Sequence, residues 1–189
     1  DAVSSLGRDK AGVSLMLDSN AALASTEALC GLQGALGGSV VVLANPSLRM
    51  LAGLQAVSEL GVDVHGDSLV VKANAALEDL AGFSGLRAGL PGALVVDRNP
   101  SLTSMAALAH VTAIGSGGIE VVGNTALREI GLNAVVRVTG NVLIEGNDAL
   151  GNVVSLENGL LAVEGDVKVK DVDCVTDAEA ARWSLALVR

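Results

Sequence analysis

One phrase, an asparagine followed three residues later by a leucine, recurs through most of this chain and constrains its fold more than any other feature. The pairs are Asn20/Leu23, Asn45/Leu48, Asn74/Leu77, Asn99/Leu102, Asn124/Leu127 and Asn147/Leu150, with successive asparagines 25, 29, 25, 25 and 23 residues apart. A unit of that size is too small to bury its own apolar face, so neighbouring units must stack into a shared core. The pattern predicts a solenoid.

Apolar residues stand five and three positions before each asparagine, as in Val40 and Val42, Leu69 and Val71, Leu94 and Val96, or Val142 and Ile144. An alternation of two is the strand signature. Seven or eight positions before the asparagine sit Gly12, Gly38, Gly66, Gly92, Gly117 and Gly140, where a tight turn into the strand is expected. Beyond the leucine, apolar residues follow in steps of three, as in Leu48, Leu51, Leu54, Val57 and Leu60. Such steps suit short segments separated by corners, not one long amphipathic helix. The glycine-rich stretch 82–92 is expected to be the most flexible connection, and the residues that lengthen the interval from Asn45 to Asn74 fall around Gly61 to Asp67.

Stacking the units at the inter-strand distance of ~4.8 Å would superimpose the six asparagines. An aligned column of buried amides can meet backbone groups at the corner and the next amide along, so these six residues are expected to form a structural ladder. A last unit, Gly165 to Val172, keeps the glycine and the alternation but holds Val172 at the ladder position. The reading is a single all-β domain of about six to seven coils. Residues 1–12 form an N-terminal cap or partial coil, residues 13–175 the coils, and residues 176–189 a short capping α-helix. Thr176 and Glu179 fit a capping box. Trp183 lies on one face of that helix with Ala180 and Leu187, expected to cover the last coil.

Composition narrows the function classes. Half of the 189 residues are apolar, with one Phe, one Trp and no Tyr. A narrow core of Leu, Val and Ala accounts for that, and stacking on sugars or single-stranded nucleic acid loses its usual side chains. The net charge of −9 argues against nucleic acid and anionic membranes as partners, and no apolar run is long enough to insert in a bilayer. A chain starting at Asp1 is read as having lost a signal peptide or as a fragment, with export preferred. Cys30 and Cys174 lie in the first and last coils, about six steps of ~4.8 Å apart, beyond disulfide reach within one copy. They are either inert core residues or candidates for an intermolecular link.

The phrase Val138-Thr-Gly140-Asn-Val142-Leu-Ile144-Glu-Gly-Asn147-Asp-Ala-Leu150, with related copies over residues 12–175, resembles that of receptor L domains, the leucine-rich β-helical modules of insulin- and EGF-receptor ectodomains and of fungal cell-wall and other exported microbial proteins. In ordinary leucine-rich repeats the leucine follows the asparagine by two residues and not three. The resemblance implies a right-handed parallel β-helix in place of a horseshoe. No cysteine-rich module accompanies the repeats, so receptor activity is not implied with it.

Catalytic groups do not assemble along the repeat. The positions two before each ladder residue read Asp18, Leu43, Lys72, Asp97, Val122, Glu145 and Lys170, expected to be exposed, with Lys72 facing Asp97 and Glu145 facing Lys170. His65 and His110 lie at different offsets and are expected in solvent or core. The glycine-rich run 115–118 precedes a strand, as a repeat corner would. No enzymatic activity, metal or cofactor is expected. The positions four before the ladder residue are more informative. Val41, Val70, Val95 and Leu143, with Leu43 and Val122 beside them, should face outward on one sheet; at ~60 Å² each they make a patch of about 350 Å². These six are the candidate protein interface. The expected function is a structural or adhesive module of a cell-surface or extracellular assembly, associating with copies of itself or an adjoining module. The alternatives are a ligand-binding ectodomain module and a carbohydrate-active β-helix.

Overall fold

The computed structural model describes residues 6–151 and 162–170. Those residues form a parallel β-solenoid. Seven strands, Val13–Asp18, Ser39–Leu43, Asp67–Lys72, Ala93–Asp97, Ile119–Val122, Val142–Glu145 and Val167–Lys170, pair in chain order into one sheet, so six turns of chain link coils 1 to 7. Register is kept coil to coil: Val40 pairs with Leu69, Leu69 with Leu94, Leu94 with Ile119 and Ile119 with Val142. Each inward column is therefore a row of like residues.

The opposite wall is built from shorter pieces. Ala113–Ile114, Arg137–Val138 and Ala162–Val163 form a three-stranded parallel sheet, and Gly34–Ala35 pairs with Val57–Glu59. Between the walls, the steps of three become single 3-10 turns at Glu27–Leu29, Ala81–Phe83 and Ala106–Leu108. Side chains two residues before each turn's first amide receive its N–H: Ser25 Oγ from Glu27, Asp79 Oδ1 from Ala81 and Ser104 Oγ from Ala106, at 2.8–3.1 Å. The hydroxyl or carboxylate thus caps the turn locally, which explains why the apolar steps do not run on into a helix.

The core is one continuous stack of Leu, Val and Ile with Phe83 and Met105. Of the leucines of the repeated phrase, Leu48, Leu77, Leu102, Leu127 and Leu150 are fully buried and Leu23, in coil 1, is partly buried. Burying such a side chain contributes ~1.5–3 kcal/mol, which no single coil could realise alone. Stretch 82–92, which its glycines mark as a loose connection, is instead packed: Phe83, Leu86 and Leu90 are buried. A Cβ at Gly82 would overlap the carbonyl oxygen of Leu51 in the coil before, so that glycine lets two backbones approach.

Each asparagine corner is turned by the residue just before it. Ser19, Ala44, Ala73 and Arg98 have φ of 53–57° and Gly123 and Gly146 have φ of 66° and 65°, all in the left-handed region. Their amides donate to the carbonyl two before the ladder residue of the next coil, as Ala73 N does to Asp97 O at 2.9 Å. The glycines upstream of the strand play a more mixed part than sequence suggests. Gly66 does take φ +88°, but Gly92 does not. A Cβ on Gly92 would run into the carbonyl of Gly66, so close stacking and not the turn requires it.

Thr176, Glu179, Trp183 and the capping helix they define lie outside the described residues, as do Cys174 and residues 1–5 of the N-terminal cap. Residues 6–12 form a partial coil: Leu6 packs against the core, and Asp9 starts a turn closed by Gly12 N–H to Asp9 O.

Candidate interaction surface

The ladder fixes the surface. Asn45, Asn74, Asn99, Asn124 and Asn147 are completely buried, and Oδ1 of each accepts two N–H groups of the asparagine one coil earlier, its main-chain amide at 3.0–3.1 Å and its Nδ2 at 3.0–3.3 Å. The Nδ2 of each buried member also donates to the carbonyl two residues before it and to a strand carbonyl of the preceding coil, as Asn74 does to Lys72 and Val42 at 3.1 and 3.0 Å. Every polar atom of such a side chain is satisfied without water. Asn20, in coil 1, is exposed, and among the described residues its side chain donates to Asn45 Oδ1 without accepting in turn.

With the corners superimposed, the outward residues fall into two straight columns. Four before the asparagine run Met16, Val41, Val70, Val95, Glu120, Leu143 and Lys168; two before it run Asp18, Leu43, Lys72, Asp97, Val122, Glu145 and Lys170. The structure brings all six candidate interface residues onto this one face. They are half-buried and not open, because parallel neighbours cover one another along the column, and Met16 at the end of the row is 56% exposed. Coils 1 to 4 supply the apolar stretch; Glu120 interrupts it, and coil 7 is capped by lysines.

Two of the charged positions differ from the simple facing-pair expectation. Lys72 Nζ does reach Asp97 Oδ2 at 2.6 Å, but Asp97 is buried, 3% exposed, and not a surface acid. Lys72, Val122 and the neighbouring Arg98, whose Nε is 3.7 Å from Oδ1, enclose it, and that Oδ1 accepts no hydrogen bond among the described residues. Glu145 stands opposite Lys170 in register, yet its Oε2 bonds Lys168 Nζ at 3.0 Å, the diagonal partner that a long side chain reaches more easily.

The residues inserted before coil 3 form a turn around Asp63, itself 9% exposed. Asp63 Oδ1 accepts the amides of His65 and Asp67, and Oδ2 accepts the Ser39 hydroxyl at 2.9 Å. Burial pushes the Asp63 carboxyl upward, but the amide of Asp67, the Ser39 hydroxyl, the amide of His65 and its imidazole outweigh it and hold the pKa below the usual value. Burial, and then the Asp63 charge, push Asp67 the other way. Both Asp63 oxygens are committed to holding the turn.

Other chemistry-bearing side chains stay apart. His65 and His110 are exposed in different coils, and among the described residues no three of His, Cys, Asp and Glu converge as a metal site would require. No helix among them is long and apolar enough to cross a membrane. Cys30 is an exposed free thiol at the end of the first 3-10 turn, which overturns its reading as an inert core residue. The depressions among the described residues include a shallow one of about 390 Å³ beside Arg8, Asp9, Lys10 and Asp63, and one of about 300 Å³ beside Asp79, Ser84 and Ser104. In the second, Ser104 donates its hydroxyl to Glu129 Oε1 at 2.6 Å. Comparison with protein-family models, curated proteins and solved structures gives no match for this chain.

Proposed function

We propose that this chain is a non-enzymatic, exported structural or adhesive module that works by protein contact at a cell surface or in an extracellular assembly. The observation that carries the reading is the straight row Met16, Val41, Val70 and Val95, with Leu43 beside it, on the outer face of a long parallel sheet. A flat, regular, apolar row of this kind suits lateral association, the partner being another copy of the same face. The repeat phrase and its leucine at +3 support a kinship with receptor L domains and, through it, the extracellular setting.

The test is the oligomeric state of the intact chain by sedimentation equilibrium up to millimolar concentration. Self-association is expected, and Val70→Lys with Val95→Lys should return the protein to monomer with its β-sheet signal unchanged. A wild-type chain that stays monomeric throughout overturns the self-assembling form of the proposal. Specific capture of a soluble extracellular protein by that monomer would favour the ectodomain alternative.

A further inference from the structure

The charges on the outer face of the long sheet change sign about coil 4. Asp18 in coil 1 and Lys170 in coil 7 are opposite in charge and equally far from that centre, and so are Lys72 in coil 3 and Glu120 in coil 5. The other coils on this face are apolar or balanced within the copy. Val41 and Leu43 in coil 2 mirror Leu143 in coil 6, whose neighbour Glu145 is bonded to Lys168; coil 4 presents Val95, its Asp97 being buried against Lys72. Counting Arg98 beside Asp97, the acids and bases of the face cancel, in a chain whose net charge is −9. A face without net charge is where two such acidic copies meet at least electrostatic cost.

A surface that reverses sign about its middle is self-complementary under a two-fold axis. Two copies can lay this face on one another by such an axis in two ways. An axis along the stacking direction sets every coil on its own counterpart, which gathers Lys168 and Lys170 of both copies at one end and brings Glu120 to Glu120. An axis parallel to the strand of coil 4 instead runs the two solenoids in opposite senses. Coil 1 then lies over coil 7, coil 2 over coil 6, coil 3 over coil 5 and coil 4 over itself. Stacked sheets lie ~10 Å apart, a gap that Asp18 and Lys170 close from its two sides, as do Lys72 and Glu120 on the diagonal. A slip of one coil loses the match. Moved one way, Asp18 meets Glu145; moved the other, Val41 and Leu43 meet Lys168 and Lys170.

We propose that this face forms a closed antiparallel dimer whose two-fold axis passes over Val95, with Asp18 of each copy against Lys170 of the other and Lys72 against Glu120. The proposal rests on the self-association of the same face argued above, and adds to it an orientation and a limit. The occupant is a second copy because the sign reversal is centred: a copy turned end for end presents the inverse order by symmetry alone. Val41, Leu43 and Leu143, packed on either side of Val95, supply the apolar contact, while the charges select register and sense. An isologous contact uses the same patch on both partners and closes at two copies, so no fibre grows through this face.

The test uses the full chain with Cys30→Ser and Cys174→Ser, which removes both native thiols. In that background Asp18→Cys and Lys170→Cys versions, when mixed, should be joined by a short bismaleimide, and neither should be joined to itself. The mass in sedimentation equilibrium should level off at twice that of the chain. Asp18→Lys alone and Lys170→Glu alone should each weaken association about tenfold, because the altered contact occurs on both sides of the axis, whereas an equal mixture should return to within about twofold of the parent. Recovery on mixing also shows that both variants fold. Lys170→Cys joined to itself, growth beyond two copies, or a mixture no tighter than its components overturns the antiparallel dimer and leaves self-association of the face standing. A parent chain that stays monomeric to millimolar concentration overturns both.

Discussion

Asn74 Oδ1 is the common acceptor for both the main-chain amide and the side-chain amide of Asn45, at 3.0 and 3.2 Å, in the completely buried interval between coils 2 and 3. Truncating Asn74 to alanine strips the acceptor from two enclosed donors and the donor from the Val42 and Lys72 carbonyls. With each orphaned group costing ~1–3 kcal/mol, Asn74→Ala should destabilise by about 3 kcal/mol or more in urea unfolding. Asn20→Ala, at the exposed end, should cost under about 1 kcal/mol.

The corner residues predict a gain. Ala73 has φ +57° and an exposed side chain, so it bears the left-handed penalty with little packing in return. Ala73→Gly should raise stability by ~1 kcal/mol, the left-handed cost of ~1–2 less the extra freedom of glycine when unfolded. Gly146→Val at the equivalent corner should lower it by a similar amount, and urea midpoints read both.

Gly82→Ala places a methyl group on the Leu51 carbonyl, which belongs to a rigid neighbouring coil. Overpacking of this kind costs ~1–3 kcal/mol, and the loss should appear as a lowered thermal midpoint. Gly37→Ala meets open space and should leave the midpoint unchanged.

Acid should act on the Asp63 turn in two stages. Asp67 has a raised pKa in the folded chain, so its charge is a burden at neutral pH that is relieved as pH falls through that pKa towards about 4. Asp63 has a lowered pKa, so its contribution is complete above about pH 4 and is lost as pH falls further through the folded value. Asp63→Asn should flatten the fall below pH 4, and Asp67→Asn the rise above it, in stability measured against pH.

The strands, the inward columns and the asparagine ladder are legible in the sequence because a two-residue alternation held in register with Asn-x-x-Leu leaves one way to stack. The left-handed corners are not: Ser19, Ala44, Ala73 and Arg98 carry no residue-type sign of that conformation, which the ladder bonds impose on them. A second period of 54 residues is present in Leu6-Gly7-x-Asp9-x-x-Gly12 and Leu60-Gly61-x-Asp63-x-x-Gly66, but is masked by unequal spacings until the turns are compared. For the contact face, spacing places Val41, Val70 and Val95 correctly in one column. It does not foresee the enclosure of Asp97 or the diagonal choice of Glu145, both decided by side-chain reach across the sheet.

All the ladder amides point the same way, oxygen towards coil 1 and nitrogen towards the following coil. Their dipoles therefore add along the axis, and each polarises the next. Two copies brought together through their first coils would press carbonyl oxygen against carbonyl oxygen, so a two-fold contact at that end is electrically disfavoured. Any coil added there would have to keep one sense, like cars coupled in a train.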